Sequence, residues 1–247
     1  MELVTIIVSG LAIFIASFFA TVSGFGYALI ATPILATVMS VKTAIMAILI
    51  TTLLLRVITM YNVRHSFHWQ TVWVTTLGSM IGGIPGSYLL SIISMPLLEI
   101  FLGTVLLVAT IAMSRERTIK ITNKNLGRMV AGFLSGFFGA STSVSGPPLA
   151  LYFLNEKTPK EYMRGNMIWI FGLMGIWLVL ANYAAGNGDY IEDWSIMLPM
   201  IPAMFLGIFL GEKFFYKLNQ HLFRRLSVII VCVGSIMMLI NGLRDIF

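Results

Sequence analysis

The chain has 247 residues, of which 58% are hydrophobic and only 11% charged, and its mean hydropathy is +0.92. A soluble domain carries about 25% charged residues, so this composition excludes a water-facing globular surface and points to an all-α polytopic membrane protein. The net charge of +6 does not call for nucleic acid, because basic residues collect in the cytoplasmic loops that orient membrane helices.

Ten apolar stretches follow one another along the chain, near 3–22, 24–38, 43–60, 70–90, 97–113, 126–139, 144–154, 165–185, 195–211 and 226–243. Most reach the roughly 20 residues that span a hydrocarbon core. The first lacks a basic leader region and reads as a retained spanning segment, not a signal peptide. The pairs 3–22 with 24–38 and 126–139 with 144–154 read as short pieces, each broken by a glycine-rich segment. The third stretch carries Arg56 in its interior. The last carries Cys232, the one cysteine of the chain, so an intrachain disulfide is excluded.

The chain also matches itself. A shift of 115 lays Gly24 on Gly139, Pro33 on Pro148, Lys42 on Lys157 and Thr43 on Thr158. A shift of 125 lays Trp69 on Trp194, Gly82 on Gly207 and Gly86 on Gly211. Lys and Arg concentrate in 115–128, 157–164 and 213–225, whereas 186–193 carries only the acids Asp189, Glu192 and Asp193. If 115–128 and 157–164 are both cytoplasmic, the apolar residues from 126 to 154 enter and leave on one side. They are too few for two spans and suit a hairpin of two half-helices. Three spans then complete the half, and an odd number inverts it relative to the first. This arrangement puts 13 of the 16 basic residues inside; four plain spans per half would put seven inside and eight outside. The expected fold is therefore two inverted repeats, each a glycine- and proline-broken hairpin followed by three transmembrane helices. The first repeat is 1–114, a cytoplasmic basic linker is 115–125, and the second repeat is 126–247. Both termini are expected outside, in a bacterial cytoplasmic membrane.

Glycine and proline interrupt the helical ladder and free backbone groups. In hydrocarbon these are tolerated only when buried in protein or lining a cavity. Paired broken helices mark a transporter site, and their half-helix N-termini attract anions. The segments Ser23–Leu35 and Ser135–Phe153 accordingly supply the candidate substrate ligands Ser23, Gly24, Gly26, Tyr27, Gly139, Ser141, Thr142, Ser143 and Ser145. Arg56 is either a further anion ligand or a snorkelling cation. Asn166 and Arg164 precede the next helix; Asn166 is a candidate ligand and Arg164 an ordinary cytoplasmic charge. Gly82 with Gly86 and Gly207 with Gly211 read as helix-packing faces. Glu99 stands alone near an outer boundary and reads as a solvated carboxylate. His65 and His68 share a loop without an acidic partner, so no metal site and no cofactor are expected. No nucleotide-binding or hydrolase motif occurs, and Ser141 and Ser143 lack an intramembrane histidine to activate them. The protein is thus expected not to be an enzyme.

At the two broken segments, GFGYALIATP and GASTSVSGPP, each followed by an apolar run and then Lys-Thr, the chain resembles the TauE/SafE family of membrane proteins. The resemblance covers nearly the whole chain. It departs from the family at Tyr27 and Ala28, which follow Gly26 where further glycines are usual, and at Ser141 to Ser143. It implies export of small sulfur oxyanions or organosulfonates, such as sulfite or sulfoacetate, by alternating access around a midplane site. Another small anion or metabolite, or a non-transporting membrane adaptor, is the alternative. The expected partners are the anion and the bilayer, with no nucleic acid.

Overall fold

The computed structural model describes residues 3–35, 38–114, 120–186 and 200–245. Among them every regular element is helical. The order is α1 (Leu3–Ser23), α2 (Tyr27–Leu35), α3 (Val41–Asn62), α4 (Trp69–Ile92), α5 (Met95–Ser114), α6 (Lys124–Thr142), α7 (Gly146–Asn155), α8 (Lys160–Ala184), α9 (Met200–Phe215) and α10 (Gln220–Arg244). Four of these are long and apolar enough to cross a membrane: 5–23 in α1, 43–62 in α3, all of α8, and 221–244 in α10. Arg115, Arg117, Asp189, Glu192, Asp193 and Trp194, on which the basic linker and the acidic loop were read, lie outside the described residues.

The pattern long, short, long, long, long occurs twice. Neither hairpin is a pair of half-helices, as the sequence suggested. α1 and α6 have 21 and 19 residues, while α2 and α7 have 9 and 10. At 1.5 Å per residue the long arms reach about 30 Å and the short arms only about 15 Å. The long arms persist because Ser and Thr in them return their hydroxyls to their own helix, as Ser17 does to Ile13 O at 2.6 Å and Thr142 to Phe138 O at 2.7 Å.

The internal match also shifts by one turn. α1 ends at Ser23 and α6 at Thr142; α2 starts at Tyr27 and α7 at Gly146; α3 starts at Val41 and α8 at Lys160. Each pair is 119 apart, not 115. The equivalent of Gly24 is therefore Ser143, not Gly139. Shared glycines and prolines misled the alignment because helices tolerate a four-residue slip with little change of face. The shift of 125 for α4 and α9 does agree with the contacts. Gly82 lies against Phe133 O and Gly207 against Phe14 O, and these carbonyls are themselves 119 apart.

Packing follows the same exchange. α4 lies along α6 and α9 along α1. A methyl at Gly82 would come within 2.0 Å of Phe133 O, and one at Gly136 within 2.0 Å of Ser79 O. The two backbones touch, the close approach that small residues permit between membrane helices. α3 packs on α8, and α5 on α10. The short helices α2 and α7 sit inside this frame, with most of their residues buried. Their open ends are thereby kept from lipid.

Arg164 is no loop charge. α8 begins at Lys160, so Arg164 lies within its first turns and is 2% exposed. Its Nε donates to Thr21 O at 2.7 Å, its Nη2 pairs with Glu212 of α9, and the guanidinium covers the Phe215 ring at 4.2 Å. Asn62 of α3 donates to the same Glu212 oxygen at 3.0 Å. Thr21 O is one of the last carbonyls of α1, which lack intrahelical donors, and a cation there also opposes the helix dipole. One side chain thus fastens α8 to α1 and α9.

Candidate anion site

Each break reverses the chain through a left-handed backbone. Gly24 has φ +84° and Gly26 +92°; Ser143 has φ +62°. Ser23 closes the first turn, donating to Phe19 O at 2.8 Å and Phe25 O at 2.6 Å. α2 then begins, and its first intrahelical bond is from Ile30 N to Gly26 O. The N–H groups of Tyr27, Ala28 and Leu29 precede that bond and are the open donors of a helix N-terminus. α7 begins differently. Pro147 and Pro148 occupy its first turn, preset the helical φ and carry no N–H, so Gly146 is the sole early donor there.

The two N-termini meet at a small cavity lined by Phe25, Gly26, Tyr27, Ala28 and Leu29 from the first break, Ser143, Val144, Ser145 and Gly146 from the second, and Thr52, Arg56 and Phe171 from α3 and α8. It has about 20 Å³ of space open to water, room for about one molecule. Arg56 is 1% exposed, and its Nε and Nη1 are buried without a hydrogen-bond partner. The guanidinium lies 5.1 Å from the centre of the Phe171 ring. Arg56 therefore does not snorkel to an interface. It is held beside the two helix N-termini with donors unused, the arrangement that suits an oxyanion.

Of the residues picked from the sequence, Gly26, Tyr27, Arg56, Ser143 and Ser145 come together at this cavity. The others do not. The Ser23 and Thr142 hydroxyls serve their own turns, and Ser141 donates to Phe137 O at 2.8 Å. Gly24 packs under the α8 backbone, where a methyl would stand 3.1 Å from the Arg164 Cα. Gly139 packs on Leu178 and Ser145. Asn166 lies elsewhere: its Oδ1 accepts from His68 N at 2.7 Å at the start of α4. The sequence reading missed Thr52, Phe25, Phe171 and Gly146. Thr52 had a signal, since it stands one turn before Arg56 and shares its face. Phe171 had none.

A larger groove of about 860 Å³ runs between α4, α5, α6 and α7, but its walls, including Phe101, Val130, Phe133 and Leu151, are almost wholly apolar and offer an anion no charge.

The profile of the sulfite exporter TauE/SafE family matches residues 9–238, nearly the whole chain. The chain belongs to the TauE/SafE family. No curated protein and no solved structure matches it significantly. Membership makes this a multi-pass transporter in a family of sulfur-anion carriers, and the TauE/SafE match takes in both breaks, Arg56 and every residue of the small cavity.

Proposed function

We propose that this TauE/SafE protein exports a small sulfur-containing anion, sulfite or an organosulfonate such as sulfoacetate, by alternating access around the Arg56 cavity. What supports the reading above all is the buried Arg56 guanidinium, with unused donors beside two helix N-termini. The substrate's oxygens take the open N–H groups of α2, the Gly146 N–H, the Ser145 hydroxyl and the fork of Arg56, while the Ser143 hydroxyl is held by Thr142 O. In the present conformation the cavity is too small for such an ion, so one set of helices swings away from the other to admit it. The two sets, 1–114 and 126–247 joined by the basic segment 115–125, act as inverted repeats, with both termini outside a bacterial cytoplasmic membrane.

Counterflow of labelled sulfite, sulfoacetate and sulfate in proteoliposomes tests this. The wild type is expected to exchange at least one of them saturably. Arg56→Ala is expected to lower apparent affinity about 100-fold and Arg56→Lys about tenfold, since hydrogen bonds to a charged partner contribute about 1.5–3 kcal/mol and lysine lacks the planar fork. No saturable exchange of any of the three sinks the reading.

A further inference from the structure

Three charged side chains are fully buried among the described residues: Arg56, Arg164 and Glu99. Arg164 is matched by Glu212. Glu99, in the first turns of α5, is 7% exposed and makes no ion pair or hydrogen bond among the described residues. It is thus not the solvated interfacial carboxylate that its isolation in the sequence suggested. Its surroundings form a second small cavity with Ala28, Leu29 and Thr32 of α2 and Gly234, Met237, Met238 and Asn241 of α10. Ala28 and Leu29 line the Arg56 cavity as well. The two cavities are therefore separated by α2 alone, and the Thr32 hydroxyl of one lies 3.4 Å from the Ser143 hydroxyl of the other.

We propose that Glu99 is a proton-binding site, coupled to the Arg56 anion site by charge balance, so that one proton and one monovalent anion cross together. The proposal rests on the anion-site reading above. With nothing bound, the interior holds Arg56 positive and Glu99 negative, and the pair sums to zero. With both ligands bound, Arg56 faces the anion and Glu99 is a neutral acid, again summing to zero. Either ligand alone leaves one uncompensated charge in a low-dielectric interior, which is costly. The carrier therefore closes when empty or when doubly loaded. The proton adds to a Glu99 carboxylate oxygen from water on the open side and leaves to water on the other, with no other bond made or broken. An anion produced in the cytoplasm would in this way leave down its own gradient without moving net charge.

The other ionisable groups near α5 are few. α10 brings Arg244 and then Asp245 at one end and His221, Arg224 and Arg225 at the other, and Asp245 is close enough to act on Glu99 through its charge. α2 carries no charged residue. α7 carries only Tyr152 in its body and Glu156 as its C-cap, the latter paired with Lys124. α6 brings Lys124, paired with Glu156, and Arg128, which donates to Asn125 Oδ1 at 2.9 Å.

The test uses the full-length protein in proteoliposomes with radiolabelled methanesulfonate, which stays ionised at working pH and cannot itself carry the proton. The wild type is expected to accumulate it about tenfold on the alkaline side per pH unit and to ignore a valinomycin-clamped potential. The isosteric Glu99→Gln is permanently neutral. It is expected to keep one-for-one anion exchange but to lose accumulation driven by the pH gradient, because the empty carrier, with Arg56 unmatched, no longer closes. A merely structural role for Glu99 would weaken exchange and pH-driven accumulation together and would not separate them. Unchanged pH-driven accumulation in Glu99→Gln overturns the coupling alone. Absence of methanesulfonate exchange in the wild type overturns the anion site for monovalent sulfonates, and the coupling with it.

Discussion

The two breaks occupy equivalent places 119 residues apart, yet they are built from different chemistry. The first, Gly24-Phe25-Gly26, uses glycine for its left-handed turns and leaves the α2 N-terminus with three backbone donors. The second, Ser143-Val144-Ser145, puts a serine at φ +62° and follows it with two prolines that delete backbone donors, while adding hydroxyls. Their supports differ too. Thr21 O and Ala140 O, again 119 apart, are both capped from α8, the first by the Arg164 guanidinium and the second by the Asn182 amide at 3.3 Å. One half of the cavity is thus lined by main chain braced by a buried charge, the other by side chains braced by a neutral group. The same geometry can be reached with either set, so duplication constrains shape more tightly than donor type.

This contrast is open to direct attack. Arg164→Ala leaves Glu212 with only the Asn62 amide among the described residues and Thr21 O without its donor, and removing one member of a buried pair costs roughly 3–5 kcal/mol. Asn182→Ala removes a neutral donor and is expected to cost about 1 kcal/mol. Thermal unfolding in detergent should therefore fall much further for the first; equal losses would refute the asymmetry of bracing. A smaller effect is expected at the turns. Gly24→Ala places a Cβ in the left-handed region, 3.1 Å from the Arg164 Cα, and should cost about 2 kcal/mol. Ser143→Gly at the equivalent place relieves left-handed strain but deletes the hydroxyl's bond to Thr142 O, so the two effects offset and thermal unfolding should stay within about 1 kcal/mol of wild type. Smallest of all, Ser145→Ala removes a hydroxyl that makes no hydrogen bond among the described residues. Its melting temperature should stay within error of wild type, while anion affinity falls about fivefold, one neutral hydrogen bond.

Much of the fold was legible because lipid imposes simple demands. Helix positions follow from apolar length, and the breaks follow from glycine and proline. The packing role of Gly82 and Gly207 follows from their spacing on unbroken helices. The site was legible only in outline. Gly26, Tyr27, Ser143 and Ser145, which line the cavity, were picked because turn residues advertise themselves. Ser23, Ser141, Thr142 and Ser143 all give their hydroxyls to nearby carbonyls, Ser143 to Thr142 O at 2.5 Å, whereas the Ser145 hydroxyl makes no hydrogen bond among the described residues. Which hydroxyl stays free depends on the phase of the helix end, and a four-residue slip in the alignment hid that phase. Asn166 and Arg164 looked alike as polar residues before a helix, and only the start of α8 at Lys160 turned both into fastenings.

The sequence by itself determined that this is a helical membrane protein with two broken segments and a lone arginine in an apolar helix, because composition and helix-breaking residues act locally. Only the tertiary structure decided what those charges do. Whether a buried arginine or glutamate is matched depends on which distant helix lies beside it. Arg164 meets Glu212 and is satisfied, whereas Arg56 and Glu99 find no oppositely charged partner among the described residues and stand on either side of α2. The second break now carries a further meaning for the first: Ser143, the equivalent of Gly24, is the residue whose hydroxyl reaches Thr32 and joins the two cavities, and no glycine could have made that contact.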